Sequence, residues 1–232
     1  MIDAIFVIGK PGSGKSIMVW YLTALLLERG FAVSYLSDRL GLEEGILKDT
    51  ARARRRPDGS KVGPHGKLIA DGPPGHRKVH VLDGTILNAV HRSHVESVLK
   101  SRRTGTVLLV EYAIGPEIRF GSGKEPLRQE AAYLVELLKG HRLLKRVFIL
   151  EVDSPLPIRA FREMKRPDAM APETFRAYFP DGGEITPPAA KQLGKLYYKF
   201  TNLEEDHDGY YSEVRYIFEN KILPKMKVSG KG

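Results

Sequence analysis

Residues Gly9 to Ser16 read GKPGSGKS: one glycine, four intervening residues, then Gly14, Lys15 and Ser16. The octapeptide follows the apolar run Ala4-Ile-Phe-Val-Ile8 and leads into SIMVWYLTALLLER, Ser16 to Arg29. A continuous apolar run ending at a turn predicts a strand buried on both faces of a parallel sheet. The following segment predicts a buried helix with Gly30 as its C-terminal stop. Between them, Gly12 and Gly14 permit backbone conformations that turn successive N–H groups inward around an anion. The helix adds its N-terminal dipole to the same point. Lys15 supplies a compact cation for outer phosphates, and Ser16 a hydroxyl ligand for magnesium. Gly9, Lys10, Pro11, Gly12, Ser13, Gly14, Lys15 and Ser16 are therefore expected to hold a nucleoside triphosphate with magnesium.

Outward from this loop, strands and helices alternate. Phe31 to Leu36 (FAVSYL) predicts a second strand and Leu42 to Thr50 a short helix. Ile86 to Arg103 predicts a helix, Thr106 to Tyr112 (TVLLVEY) a strand, Glu125 to Lys139 a helix and Arg146 to Val152 a strand. A last strand is expected within Ala189 to Phe200, and an amphipathic helix over Gly209 to Leu223. This alternation predicts an α/β fold: a doubly wound parallel sheet with helices on both faces. Residues 51 to 83 break the pattern. They are rich in Arg, Gly and Pro around the runs KLIAD and KVHVLD, which predicts a small β-hairpin inserted into a single domain spanning residues 1 to 232.

The chain has 232 residues, 42% of them hydrophobic, enough for one domain with a sizeable core. It contains no cysteine, which excludes disulfides and thiolate metal sites. No apolar run reaches the roughly 20 residues of a membrane helix. The start, MIDAIFVIG, lacks a basic leader, so a soluble, cytoplasmic protein without membrane contact is expected. The formal net charge is +9, with basic clusters at Ala51 to Arg56, at Ser101 to Arg103 and after Ile222. Such a balance suits phosphate-rich partners, and a nucleic-acid partner stays open beside a nucleotide.

The second half narrows the reading. FILEVDSPLPIRAFREMKRPDAM (Phe148 to Met170) is a buried strand, an acidic turn and a helix carrying Arg159, Arg162 and Arg166, spaced to share one face. No NKxD tetrapeptide, the guanine-reading segment of GTPases, occurs. With the phosphate loop, this stretch resembles the lid region of small-molecule and nucleotide kinases of the phosphate-loop superfamily. The resemblance covers residues 4 to 50 and 104 to 223. It implies ATP as the triphosphate, a lid over residues 154 to 184, and arginines that close over the transferring phosphoryl group. KLYYKFTNLEEDHDGYYSEVRYIFENKIL (Lys195 to Leu223) is similar to the end of such kinases, where the adenine sits beside the loop after the last strand. That makes Asn202 an adenine-side candidate.

A kinase also needs a carboxylate for the acceptor and often another near magnesium. Asp38, Glu111 and Asp83 each end a strand-like run, where ligands bind in open α/β sheets. KVHVLD followed by glycine is similar to the LDG of adenylate kinases, which would make Asp83 the magnesium-side acid if its run joined the main sheet. If it forms the hairpin, Asp38 and Glu111 are preferred. His91 and His94, three apart on a predicted helix, lack further metal ligands and are expected in the core or on the surface. The resulting expectation is transfer of the γ-phosphoryl of ATP to a small-molecule or nucleotide acceptor. A nucleic-acid-associated ATPase or polynucleotide kinase, and a nucleotide-dependent switch, are the alternatives.

Overall fold

The computed structural model describes residues 2–53, 62–104, 106–166, 169, 171–179, 182–203 and 207–226. Most of the predicted arginine cluster at 51–56, and the lysines beyond 226, lie outside them.

The apolar run at the start forms β1 (Ala4–Gly9), every residue of which is buried. It lies at the centre of a five-stranded sheet with β2 (Val33–Ser37), β5 (Val107–Ala113), β6 (Val147–Asp153) and β7 (Tyr197–Thr201), in the order β2-β5-β1-β6-β7. All four pairings are parallel. Alternate residues of each strand face opposite layers. Ile5, Val7, Leu109, Phe148 and Leu150 pack beneath α1 (Lys15–Glu28) and α8 (His207–Ile217). Phe6, Ile8, Val110, Tyr112 and Ile149 pack beneath α3 (Thr85–Thr104) and α4 (Ala131–Gly140). Burial on both faces explains the near-continuous apolar strands. Among the described residues, no helix is long and apolar enough to cross a membrane.

The inserted arm is an antiparallel pair, β3 (Gly66–Ala70) and β4 (Lys78–Val81), in a sheet of its own. It lies along α2 (Asp38–Arg52). At the far end of α2 the His65 N–H donates to Asp49 Oδ2 at 3.0 Å. Near its start the Gly75 N–H donates to Glu43 Oε2 at 2.8 Å. The tip of the hairpin is thereby placed against the first half of α2, where a Cβ on Gly75 would lie 3.6 Å from Leu40.

Two predicted elements differ from those observed. The helix expected from Leu42 starts at Asp38, because the Ser37 side chain accepts from the Leu40 N–H and caps it. The helix expected from Glu125 starts only at Ala131. Leu127 instead exchanges backbone hydrogen bonds with Ile118, at 2.9 and 3.1 Å. Asn88 holds the same stretch by donating to the Pro126 carbonyl at 2.8 Å and accepting from the Arg128 N–H at 2.9 Å. These tertiary partners outweigh local helix preference. Between β6 and β7 the chain forms α5 (Leu156–Met164), α6 (Pro172–Tyr178) and α7 (Pro187–Leu193). After α8 it continues as a widened helical turn at Phe218–Ile222 and a tight turn at Leu223–Lys225.

Candidate active site

The glycine-rich loop joins β1 to α1 at the carboxyl end of the sheet. Gly12 and Gly14 have φ of 76° and 99°, left-handed values that a residue with a Cβ adopts at a cost. Space is also short: a Cβ on Gly12 would lie 2.6 Å from the Arg159 carbonyl oxygen. The Ser13 N–H donates to the Lys10 carbonyl at 3.1 Å, closing a tight turn.

Lys15 opens α1 and is buried, with Nζ donating to the Lys10 carbonyl at 3.1 Å. Burial pulls its ammonium below the usual lysine value. The carboxylates of Glu111 and Asp38 oppose that shift, while Arg166 and Arg159 add to it. Charged groups from β5, α2 and the α5 region thus act on one ammonium.

Ser16, next along α1, donates from Oγ to Glu111 Oε1 at 2.7 Å. Glu111 stands near the end of β5 and its other oxygen accepts from Tyr35 Oη at 2.6 Å. Burial, then the Glu111 charge and the hydrogen bond to it, push the Tyr35 phenol well above its usual pKa, so it stays a donor. Tyr35 was missed in the sequence; its strand alternation was visible, but nothing local shows that it shares a face with Glu111. Asp38, expected at the end of the second strand, is instead the first residue of α2, directly after β2, and its Oδ2 accepts from the Ala113 N–H.

Asp83 has a different setting. Because among the described residues β4 pairs with β3 and not with the main sheet, the condition for placing Asp83 beside magnesium is not met. Its carboxylate binds His65 Nδ1 at 2.8 Å and accepts from the Thr85 N–H at 2.9 Å. Its pKa is lowered: burial raises it, but the His65 and Thr85 hydrogen bonds outweigh that.

The three arginines do not share one task. Arg159 is fully buried and donates to the carbonyls of Ser154 at 3.0 Å and Phe179 at 3.1 Å, tying the segment together. Arg162 reaches the phosphate loop, with NH1 3.4 Å from the Gly12 carbonyl oxygen. Arg166 falls beyond the end of α5, so the predicted common helix face covers only the first two; it pairs with Glu163 at 3.3 Å. Asn202 directs its amide to the Ser13 carbonyl at 2.8 Å. The Lys10 side chain leaves the loop to pair with Glu184, at the far end of the same segment.

The donor set fits a triphosphate with magnesium. Positive-φ glycines, the start of a 14-residue helix and a buried lysine suit phosphate oxygens. The Ser13 hydroxyl is buried in the loop without a protein partner among the described residues. Ser16 and Glu111 suit a small hard cation, which takes one or two carboxylates plus phosphate and water.

No protein-family model matches the sequence, and no curated protein matches it. Solved structures do. An unliganded sugar kinase from Janibacter sp. HTCC2649 aligns with a TM-score of 0.51 and 12% identity, over 98% of this chain and 99% of that one. A shikimate kinase from Acinetobacter baumannii, in complex with shikimate, aligns with a TM-score of 0.42 and 14% identity, over 98% and 97% of the two chains. The first likeness shows the fold alone: this chain has the α/β fold of that sugar kinase, a five-stranded parallel sheet flanked by helices, and carries a small antiparallel hairpin.

Proposed function

We propose that the chain is an ATP-dependent kinase that transfers the γ-phosphoryl group to a small-molecule or nucleotide acceptor. The observation that carries this reading is the pair Ser16–Glu111 beside a buried Lys15 whose charge also feels Asp38. A site built only to bind nucleotide needs the loop; the second carboxylate, at the start of α2, adds a group for an acceptor. The kinase fold supports the same conclusion.

Lys15 and the loop amides would hold the outer phosphates. Ser16 and Glu111 would hold magnesium, with Tyr35 fixing the Glu111 carboxylate. Magnesium, when bound, supplies charge neutralisation at the phosphate oxygens. Asp38 would accept the proton of the acceptor hydroxyl as its oxygen forms a bond to the γ-phosphorus. The bond from that phosphorus to the β–γ bridging oxygen breaks, and ADP leaves with the electron pair. Arg166 would face the transferring group, and Arg159 would keep the lid over residues 154 to 184 in shape.

The test is transfer of labelled γ-phosphate from ATP, with magnesium, to pooled sugars, small hydroxy acids and nucleotides. Wild type should label an acceptor, and Lys15→Ala should lower the rate by about 10²–10³-fold, the scale on which a preorganised charge stabiliser acts. Transfer that persists in Lys15→Ala would overturn the assignment. Nucleotide binding with slow hydrolysis and no labelled acceptor would overturn it in favour of a switch.

A further inference from the structure

A loop whose N–H groups converge on an anion must turn its carbonyls outward, and buried carbonyls need donors. Here the outward carbonyls of Gly12, Ser13 and Gly14 meet three side chains from three separate elements. Arg162 of α5 places NH1 3.4 Å from the Gly12 oxygen and 3.5 Å from the Ser13 oxygen. Asn202, just after β7, donates from Nδ2 to the Ser13 oxygen at 2.8 Å. Tyr210 of α8 donates from its hydroxyl to the Gly14 oxygen at 3.0 Å. That same oxygen accepts the Met18 N–H and so starts the α1 ladder.

The three are not independent. Arg162 NH2 lies 3.3 Å from Asn202 Oδ1, which fixes the direction of the Asn202 amide and aims Nδ2 at the loop. The Asn202 backbone N–H donates to the Asp153 carbonyl at 2.7 Å, anchoring the residue to the end of β6. A Cβ on Gly14 would lie 2.5 Å from Asn202 Nδ2, so the glycine makes room for the amide.

We infer that Arg162, Asn202 and Tyr210 form an outer brace that holds the phosphate loop in its anion-binding shape, acting through the loop without touching the nucleotide. This gives Arg162 and Asn202 positioning roles different from the lid-arginine and adenine-side roles that their sequence context implies. It also ties the seat of α5 to the order of the loop. The inference rests on the nucleotide-binding reading above.

The experiment is calorimetric titration of MgADP and of a magnesium complex of a non-hydrolysable ATP analogue. The proteins are wild type, Arg162→Lys, Asn202→Ala, Tyr210→Phe and the Arg162→Lys/Asn202→Ala double variant. Each single change should weaken both ligands by the same factor, about three- to tenfold, the net value of one hydrogen bond. The double variant should lose less than the product of the two single losses, because both residues hold one carbonyl. Hydrogen exchange at residues 10 to 16 of the free protein should quicken in each variant. Tyr210→Phe keeps the ring, which packs 5.3 Å from Phe200, so it stays informative if an Arg162 variant folds poorly.

Unchanged affinities in folded variants would overturn the brace and leave nucleotide binding intact. A loss for the ATP analogue alone in Arg162→Lys would assign that residue to the γ-phosphate and likewise overturn it. A wild-type protein that binds neither ligand would overturn the nucleotide reading itself.

Discussion

His91 is fully buried on α3, its ring stacked on Tyr112 with centroids 4.1 Å apart. Nδ1 lies 3.2 Å from the Arg128 carbonyl oxygen and 3.1 Å from the Tyr112 hydroxyl; a proton on Nδ1 satisfies the carbonyl, which can only accept. Nε2 is left buried and without a partner among the described residues. Burial first, then the nearby His94, lower the His91 pKa to about 3; the hydrogen bond to the Arg128 carbonyl opposes this and Arg92 adds to it. The ring is therefore neutral in the fold but titrates normally when unfolded, so between about pH 3 and 6.5 the unfolded chain binds more protons. The stability it contributes is complete above pH 6.5 and is lost as pH falls; at pH 5 the loss is about 2 kcal/mol from this residue. His94, whose pKa burial also lowers, acts in the same direction. Urea unfolding at pH 7 and pH 5 checks this. His91→Asn keeps a donor near the Arg128 carbonyl without the titration, and should flatten the pH dependence by about 2 kcal/mol. Equal slopes would refute the assignment. At this scale the tight turn in GKPGSGKS was legible because glycine conformation is local, and His91 and His94 are both buried, in keeping with the core-or-surface expectation. Tyr35 and Tyr210 were not legible, since each matters through a partner more than 70 positions away.

The inserted arm is held at its tip by Glu43, whose side chain is only 1% exposed. It accepts from Arg39 Nε at 2.7 Å and from the Gly75 N–H at 2.8 Å, and lies 3.7 Å from Arg77 NH1. Arg39 also reaches the Arg77 carbonyl, so one buried carboxylate ties α2 to both sides of the turn. Glu43→Ala would leave two partly exposed guanidinium groups to rehydrate and one N–H without its acceptor, a cost of about 2 kcal/mol. Hydrogen exchange over residues 71 to 77 should speed up more than exchange in the main sheet, and Glu43→Gln, which keeps an acceptor for Gly75, should fall between. Exchange at the tip unchanged in Glu43→Ala would show that the strands alone hold the arm. The hairpin itself was readable, because KLIAD and KVHVLD flank a Gly- and Pro-rich turn. Its dock was not: Glu43 sits in an ordinary helical stretch, and only the folded arm brings Gly75 and Arg77 to it. The late start of α4 has the same cause, since Asn88 on α3 decides the conformation of residues 126 to 128.

On the scale of the molecule, one loop is clasped by elements from the whole chain. β1 and α1 are its own flanks; α5, the end of β7 and α8 hold its carbonyls; Glu111 of β5 meets Ser16; and Glu184 holds Lys10. Parallel order β2-β5-β1-β6-β7 puts the carboxyl ends of all five strands on one side, so topology delivers these residues together. The alternation of elements made that fold legible, whereas the pairing of side chains around the loop depends on packing that no local pattern encodes. A ligand in the loop should therefore stabilise the cooperative unit as a whole rather than one hairpin or helix. At a hundred times its dissociation constant, MgADP contributes about 2.7 kcal/mol. For a domain of this size that raises the melting temperature by about 5–10 °C. The shift should appear equally in far-ultraviolet circular dichroism and in the fluorescence of Trp20, which lies 82% exposed on α1. Lys15→Ala should abolish most of it, because its buried ammonium is the cation nearest the role of holding the outer phosphates. An equal shift in Lys15→Ala would place the nucleotide elsewhere on the molecule. A shift in the fluorescence transition alone would mean that the ligand orders α1 without coupling to the sheet, and that the clasp around the loop is not one cooperative unit.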